Sequence, residues 1–273
     1  MKLSIIIPAY RQESTIVKDI SNIVALLEET YYNFEVIVVV DGFVDQTYQK
    51  VQELQSEKVV VLGYSQNRGK GFAVRYGMNR SSGNIIGFID AGMDLHPEGI
   101  IMLIEHMKWY NADIIVGSKR HPVSQVHYPP VRRIYSKVFQ LLIKALFGLK
   151  VRDTQVGLKL FRREVLQDIM PRLLVKRYAF DVEMLAVANY LGYKRIFEAP
   201  VQLAYNFQSS INVNAIIHML RDTLAVYYRL KIKHYYNNEN AAEWSTELQS
   251  TAFIENLPIP EEYSFETSNE EIK

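Results

Sequence analysis

Leu3-Ser4-Ile5-Ile6-Ile7-Pro8, followed by Phe34-Glu35-Val36-Ile37-Val38-Val39-Val40-Asp41-Gly42, is the stretch that decides the fold class. Both runs are apolar with little alternation, as strands buried on both faces must be, and both end abruptly in turn-forming residues. Between them Ile16, Ile20, Ile23, Val24 and Leu27 recur at helical spacing across 13–30. The same alternation continues outward. Further strands are predicted over 59–63, 85–90 and 113–117. Helices are predicted over 45–56, from the glycine loop 67–71 through 79, and from about Pro97, a favoured first helical residue. Apolar strands alternating with amphipathic helices imply an α/β doubly wound domain, its sheet mostly parallel with helices on both faces. Ligands bind such sheets beyond the carboxyl ends of the strands. The segments there are Pro8-Ala9-Tyr10, Asp41-Gly42, 67–71, 90–94 and 117–120, and they are polar, charged or glycine-rich in every case. Turn formation would explain any one of them. Their shared position relative to the strands points to a binding site.

With 273 residues, 48% of them hydrophobic, the chain can bury a sizeable core. The absence of cysteine excludes disulfides and thiolate metal sites. The first apolar run is too short for a signal peptide, and no stretch approaches the roughly 20 apolar residues of a membrane span. The expectation is a soluble or peripheral protein. The net charge of +1 hides an asymmetry: nine glutamates and a single base, Lys273, lie from Glu239 onward. Without that segment the chain has 30 basic and 21 acidic residues. Three parts follow: 1–118, a ligand-binding half; 119–236, more basic; and 237–273, an acidic tail read as flexible or loosely docked. The alternative for the tail is docking through Trp244, Phe253, Ile254, Leu257 and Ile259. The basic body suits an anionic partner, a nucleotide, phosphate or anionic membrane surface rather than nucleic acid. Within it, Arg133, Lys137, Gln140 and Lys144 form a polar stripe on an otherwise apolar helix, and 215–232 is a second amphipathic stretch. Such a helix fits a membrane interface. Equally it could pack within the protein or against a second copy, which leaves a homo-oligomer open.

The sharpest chemical feature is Phe88-Ile89-Asp90-Ala91-Gly92-Met93-Asp94-Leu95-His96-Pro97. Two carboxylates, Asp90 and Asp94, at the mouth of a sheet can hold a hard divalent cation, Mg2+ or Mn2+, which takes its other oxygens from water and substrate phosphates. The alternative is that Asp94 and His96 merely cap the following helix. Zinc is disfavoured, since His96 has no second His or Cys at ligand spacing.

Taken in order, Ser4–Tyr10, Val39-Val40-Asp41-Gly42, Asn67-Arg68-Gly69-Lys70-Gly71, Asp90-Ala91 and Gly117-Ser118-Lys119 resemble the motif set of family 2 glycosyltransferases of the GT-A type. Asp153–Arg163 and Phe180-Asp181-Val182-Glu183 are similar to the dolichyl-phosphate-mannose-synthase branch, whose members load a sugar onto a polyprenyl phosphate. The resemblance covers about residues 3–230, and implies that 1–118 is the nucleotide-sugar-binding half and 119–236 the acceptor-binding half with its amphipathic helices. It implies that Pro8, Ala9, Tyr10 and Gln12 line a nucleoside pocket with Asp41 beside the base or ribose, and that Lys70 approaches the nucleotide-sugar donor. It places Asp90 and Ala91 in the metal-binding D-x-D-type motif and Asp94 on the metal side. Lys119, Arg132 and Arg133 would clamp phosphates, and Asp153 falls at an acidic position proposed to act in catalysis.

Three positions depart from that motif set: Gln12 stands for a carboxylate, Val40 for the first of two aspartates, and Gly92 for the second Asp of D-x-D. The expected activity is metal-assisted, inverting transfer of a sugar from a UDP- or GDP-sugar to a polyprenyl phosphate at the cytoplasmic face of a membrane. A soluble or protein-linked acceptor, or a module that binds nucleotide-sugar without catalysis, are the alternatives.

Overall fold

The computed structural model describes residues 1–92, 94–124, 130–177, 179–203, 213–237 and 253–255; for 130–134, 213–215 and 253–255 it describes the backbone alone. In chain order the elements are β1 (Lys2–Ala9), α1 (Ile16–Glu28), β2 (Asn33–Asp41), α2 (Thr47–Gln52), β3 (Val59–Tyr64), α3 (Lys70–Arg80), β4 (Ile85–Ile89), α4 (Gly99–Trp109) and β5 (Ile114–Ser118). They continue with α5 (Pro130–Phe147), β6 (Leu158–Arg162), α6 (Arg163–Ile169), α7 (Phe180–Tyr190), β7 (Ile196–Pro200), α8 (Val213–Lys231) and β8 (Phe253–Glu255). One sheet carries all the described strands, in the order β7-β5-β6-β4-β1-β2-β3-β8.

The apolar runs of β1 and β2 lie at its centre. Leu3, Ile5, Ile6, Ile7 and Val36 are fully buried, as are Val38, Val39 and Val40. Each such side chain contributes roughly 1.5–3 kcal/mol by leaving water. The α1 residues at helical spacing, Ile16, Ile20, Ile23 and Leu27, cover one face of the sheet. β1 pairs in parallel with β2 as far as Ala9, but with β4 only as far as Ile6 and Phe88. Pro8, with no N–H to offer a neighbour, sits beyond the point where β1 and β4 part.

The sheet is less parallel than its first half predicts. β6 enters antiparallel between β4 and β5, and β8 pairs antiparallel with β3. β6 and β7 belong to the part from 119 onward, so the two halves read from sequence share one sheet. Three residues of the tail from Asn238 on are described, and they include two of the candidate docking residues, Phe253 and Ile254. Phe253–Glu255 pair with Leu62, Gly63 and Tyr64, covering the edge of β3. Trp244, Leu257 and Ile259 lie outside the described residues.

No helix among the described residues is long and apolar enough to cross a membrane. α5 and α8 are two-faced. Tyr135, Val138 and Leu141 of α5, and Ile217, Leu224, Tyr228 and the adjoining Ile232 of α8, are exposed apolar side chains. Ile143 and Phe147 of α5 and Val226 and Leu230 of α8 are buried.

Candidate active site

A cavity of about 1010 Å³ opens beyond the carboxyl ends of β1, β2 and β4. Eleven residues singled out from the sequence line it: Pro8, Ala9, Tyr10, Gln12, Asp41, Lys70, Asp90, Ala91, Asp94, Lys119 and Asp153. Arg133 lies on α5, but its side chain and that of Arg132 lie outside the described residues. His96 is not among the lining residues; its ring is 3.6 Å from Glu98. α4 starts at Gly99 with no side-chain cap, so the reading of Asp94 and His96 as capping residues does not hold.

Asp41 closes β2 and is buried. Its carboxylate accepts hydrogen bonds from the Arg68 N–H at 2.7 Å, the Gly69 N–H at 2.9 Å and the Asn67 Nδ2 at 3.0 Å. Burial raises its pKa despite these donors. Asp41 therefore holds the glycine loop against the sheet, one residue before the start of α3.

Lys70 is the first residue of α3. Its ammonium lies 2.8 and 3.0 Å from the two carboxylate oxygens of Asp90, just past β4, and 3.7 Å from Asp181 at the start of α7. Asp181 in turn accepts a 2.5 Å hydrogen bond from Lys159, a fully buried lysine in β6 that also donates to the Val156 carbonyl at 2.6 Å. Burial opposes the charge on Lys70, but Asp181 and Asp90 outweigh it and hold its pKa above the ordinary lysine range. Burial would likewise raise the Asp181 pKa, and Lys159 and Lys70 reverse that, keeping the group ionised.

The loop after Asp90 is set from the other side. Asp19 of α1 accepts the Gly92 N–H at 2.9 Å, and Gly92 has a φ of 88°, a conformation that L side chains rarely adopt. An aspartate at that position would be strained, which gives the lost second Asp of D-x-D a backbone reason. Asp94, two residues on, is exposed and lines the same cavity.

Asp153 is braced by backbone. It accepts the Lys119 N–H at 3.1 Å, and Glu198 of β7 receives the N–H groups of Arg152 and Asp153 at 2.6 and 3.0 Å. The far wall of the cavity is apolar: Val138, Phe139 and Leu142 of α5 face it together with Ile216, Met219 and Leu220 of α8. Asp181, Lys159 and Glu198 carry no role in the sequence reading. The signal it could have used was an acid or base inside an apolar run, as in Leu158-Lys159-Leu160-Phe161 and Phe180-Asp181-Val182-Glu183, since such a group must find a partner.

A mixed sheet flanked by helices, with its polar groups gathered at the carboxyl ends of the central strands, is the GT-A architecture. The chain belongs to glycosyl transferase family 2, whose model matches residues 4–170. Among curated relatives it is similar to the dolichyl-phosphate beta-glucosyltransferase of Drosophila melanogaster, 33% identical over 70% of this chain and 64% of that one. The human protein of the same name is 33% identical over 76% of this chain and 67% of its own. The chain thus spans about two thirds of the length of these relatives. Among solved structures, glucosyl-3-phosphoglycerate synthase from Mycobacterium tuberculosis, in complex with Mn2+, uridine diphosphate and phosphoglyceric acid, superposes with a TM-score of 0.63. It is 22% identical and covers 83% of this chain and 77% of its own. Mannosyl-3-phosphoglycerate synthase from Rubrobacter xylanophilus gives 0.64 at 16% identity, covering 86% and 75%. At these identities the two structures speak for the fold alone.

Proposed function

We propose that this protein transfers a sugar from a UDP- or GDP-sugar to a polyprenyl phosphate, inverting the anomeric carbon, at the surface of a membrane. The observation that carries the reading is the two-sided cavity. A polar end with Lys70, Asp90 and Asp153 runs into an apolar wall built from α5 and α8. A donor with a charged diphosphate and an acceptor with a phosphate head and a hydrocarbon tail need that combination. Dolichyl-phosphate glucosyltransferases among the relatives support the same acceptor class.

In the reaction an acceptor phosphate oxygen attacks the anomeric carbon, the bond to the nucleotide diphosphate breaks, and its electron pair leaves with the diphosphate. A phosphate monoester is already ionised near neutral pH, so the attack needs little help from a base. What the chain must supply is orientation and positive charge. In this reading Lys70 serves the donor, Lys119 and Arg133 are the candidate phosphate clamps, and Asp153 is the candidate catalytic carboxylate beside Lys119. Among the described residues no three His, Cys, Asp or Glu gather to hold a metal by themselves. Asp90 and Asp94 fit the sparser demand of Mg2+ or Mn2+, which completes its shell with water and diphosphate oxygens. When bound, the ion would neutralise charge building on the leaving diphosphate.

The exposed apolar side chains of α5 and α8 flank the cavity's apolar wall, and Lys137 and Lys144 stand exposed on α5. This arrangement supports docking on an anionic membrane, the cytoplasmic face in our reading. The test is a panel of radiolabelled UDP- and GDP-sugars offered with Mn2+ to a short-chain prenyl phosphate and, in parallel, to soluble phosphate acceptors. Labelled prenyl-phosphate sugar supports the reading. Transfer only to the soluble acceptors would replace the acceptor class, and donor binding without product would make this a binding module.

A further inference from the structure

We infer that Lys70 is the resident counter-cation of Asp90, that a divalent metal must displace it, and that Asp181 is the positioning residue that keeps the displaced ammonium at the donor site. The inference rests on the reading of Asp90 as a metal-side carboxylate.

The geometry leaves Lys70 two anchors of unequal kind. Asp90, at 2.8 and 3.0 Å, lies at the cavity, its side chain 41% exposed. Asp181, at 3.7 Å, is 8% exposed and cannot turn away, because Lys159 holds its Oδ1 at 2.5 Å and leaves Oδ2 directed at Lys70. Lys159 is itself pinned by the Val156 carbonyl, and the Phe88 ring lies 5.1 Å from the Lys70 ammonium and 5.2 Å from that of Lys159. The start of α3 is fixed too, by the Gly71 N–H donating to the Lys176 carbonyl at 2.8 Å.

Two cations do not share one small carboxylate without strong repulsion. A metal that takes Asp90 therefore moves the Lys70 ammonium off it, and the short remaining step is toward Asp181. There the lysine stays beside the cavity, in reach of the diphosphate that arrives with the metal. Without the Asp181 charge, Lys70 has no second anchor and holds Asp90 more tightly against the metal. Lys70 thus works against metal that comes alone and in favour of metal that comes with nucleotide, whose phosphates supply the lysine with a new partner.

Mn2+ binding is measured without nucleotide, by calorimetry and by the loss of the free-ion paramagnetic resonance signal, in wild type, Lys70→Met, Asp181→Asn and the double variant, with Asp90→Asn as the reference for site binding. Removing a unit charge at this separation should tighten Mn2+ by about tenfold in Lys70→Met, while sugar transfer falls. Asp181→Asn should weaken Mn2+ binding, and that loss should vanish in the double variant, because Asp181 acts through Lys70. A loss that persists in the double variant shows Asp181 acting only as a distant charge and overturns its positioning role. Unchanged Mn2+ affinity in Lys70→Met, with binding still dependent on Asp90, overturns the displacement. If no variant shows Asp90-dependent Mn2+ binding, with or without UDP, the metal reading of Asp90 fails as well. Should Asp181→Asn not fold, because Lys159 loses its partner, Lys159→Met/Asp181→Asn removes both buried charges and takes its place.

Discussion

Gly157 lies directly against Asp90: a β-carbon at residue 157 would stand 2.1 Å from the Asp90 Oδ2, and the Gly157 carbonyl accepts the Asp90 N–H at 2.9 Å. The carboxylate occupies space that only glycine leaves free. Gly157→Ala should push Asp90 out of its position beside Lys70 without touching the sheet's core. A displacement on the order of 1 Å costs about a hundredfold in rate. Sugar transfer and Mn2+ affinity should fall together in this variant while the circular dichroism spectrum stays that of the wild type. Wild-type turnover would mean that Asp90 tolerates a different position.

Asp90→Asn and Asp94→Asn should each lower transfer by roughly 10²-fold, the scale seen when one group stabilising a developing charge is removed. Both side chains line the cavity and neither is part of the apolar core, so melting temperatures should change little. Excess EDTA should reproduce the loss in the wild type. Full activity in either variant or in EDTA would remove that residue, or the metal, from the reaction.

How far the sequence reaches can be seen strand by strand. β1 to β5 are legible because their apolar runs are continuous and their ends carry turn residues. β6 is not, because Lys159 stands in the middle of Leu158-Lys159-Leu160-Phe161-Arg162 and reads as a break. The lysine is tolerated there through Asp181 and the Val156 carbonyl, and no local pattern announces a carboxylate partner 22 residues away. β7 carries Glu198 at its centre and is hidden for the same reason, and β8 is three residues inside an acidic tail. The site was legible where the fold rule applied: residues after the strand ends do line one cavity. What could not be read was how they are held, because the Lys70, Asp90 and Asp181 contacts and the Glu198 brace under Asp153 join distant parts of the chain.

The opposite end of the sheet should give a pH-dependent stability. Glu35, paired across from Ser4, accepts hydrogen bonds from the Ser4 hydroxyl at 2.6 Å and the Ser82 N–H at 2.7 Å, with Lys2 at 2.9 Å. Burial alone would raise its pKa, but these donors reverse that and lower it from 4.5 to about 2. A carboxylate with a depressed folded pKa contributes stability that is complete above its unfolded pKa and is lost as pH falls toward the folded one. Glu35→Gln should therefore melt earlier than wild type at pH 7, and the gap should close between pH 4.5 and pH 2. A gap independent of pH would assign the effect to shape rather than charge.

Membrane docking should depend on both kinds of exposed residue. Lys137→Glu/Lys144→Glu should weaken binding to vesicles containing phosphatidylserine on the order of tenfold or more, since each lysine near such a surface contributes about 1 kcal/mol. Raised salt should act in the same direction. Val138→Asp/Leu224→Asp should weaken binding to neutral and anionic vesicles alike. Flotation of both variants with vesicles as well as wild type would make α5 and α8 packing surfaces for protein.

The insertion of β6 between β4 and β5 has a consequence for biosynthesis. Among the described strands the partners of β5 are β6 and β7, both made later, so on the ribosome Ile114–Ser118 waits for its sheet partner until Leu158–Arg162 emerges. Asp90 meets the same delay, because the backbone carbonyl that fixes it belongs to Gly157. A fragment ending at Ser118 would thus keep the donor-side motifs yet leave β4 with a bare edge and β5 unpaired, a template for association with other chains. The pairing of β5 and the setting of Asp90 wait on the same late segment, Gly157 and the strand it leads into.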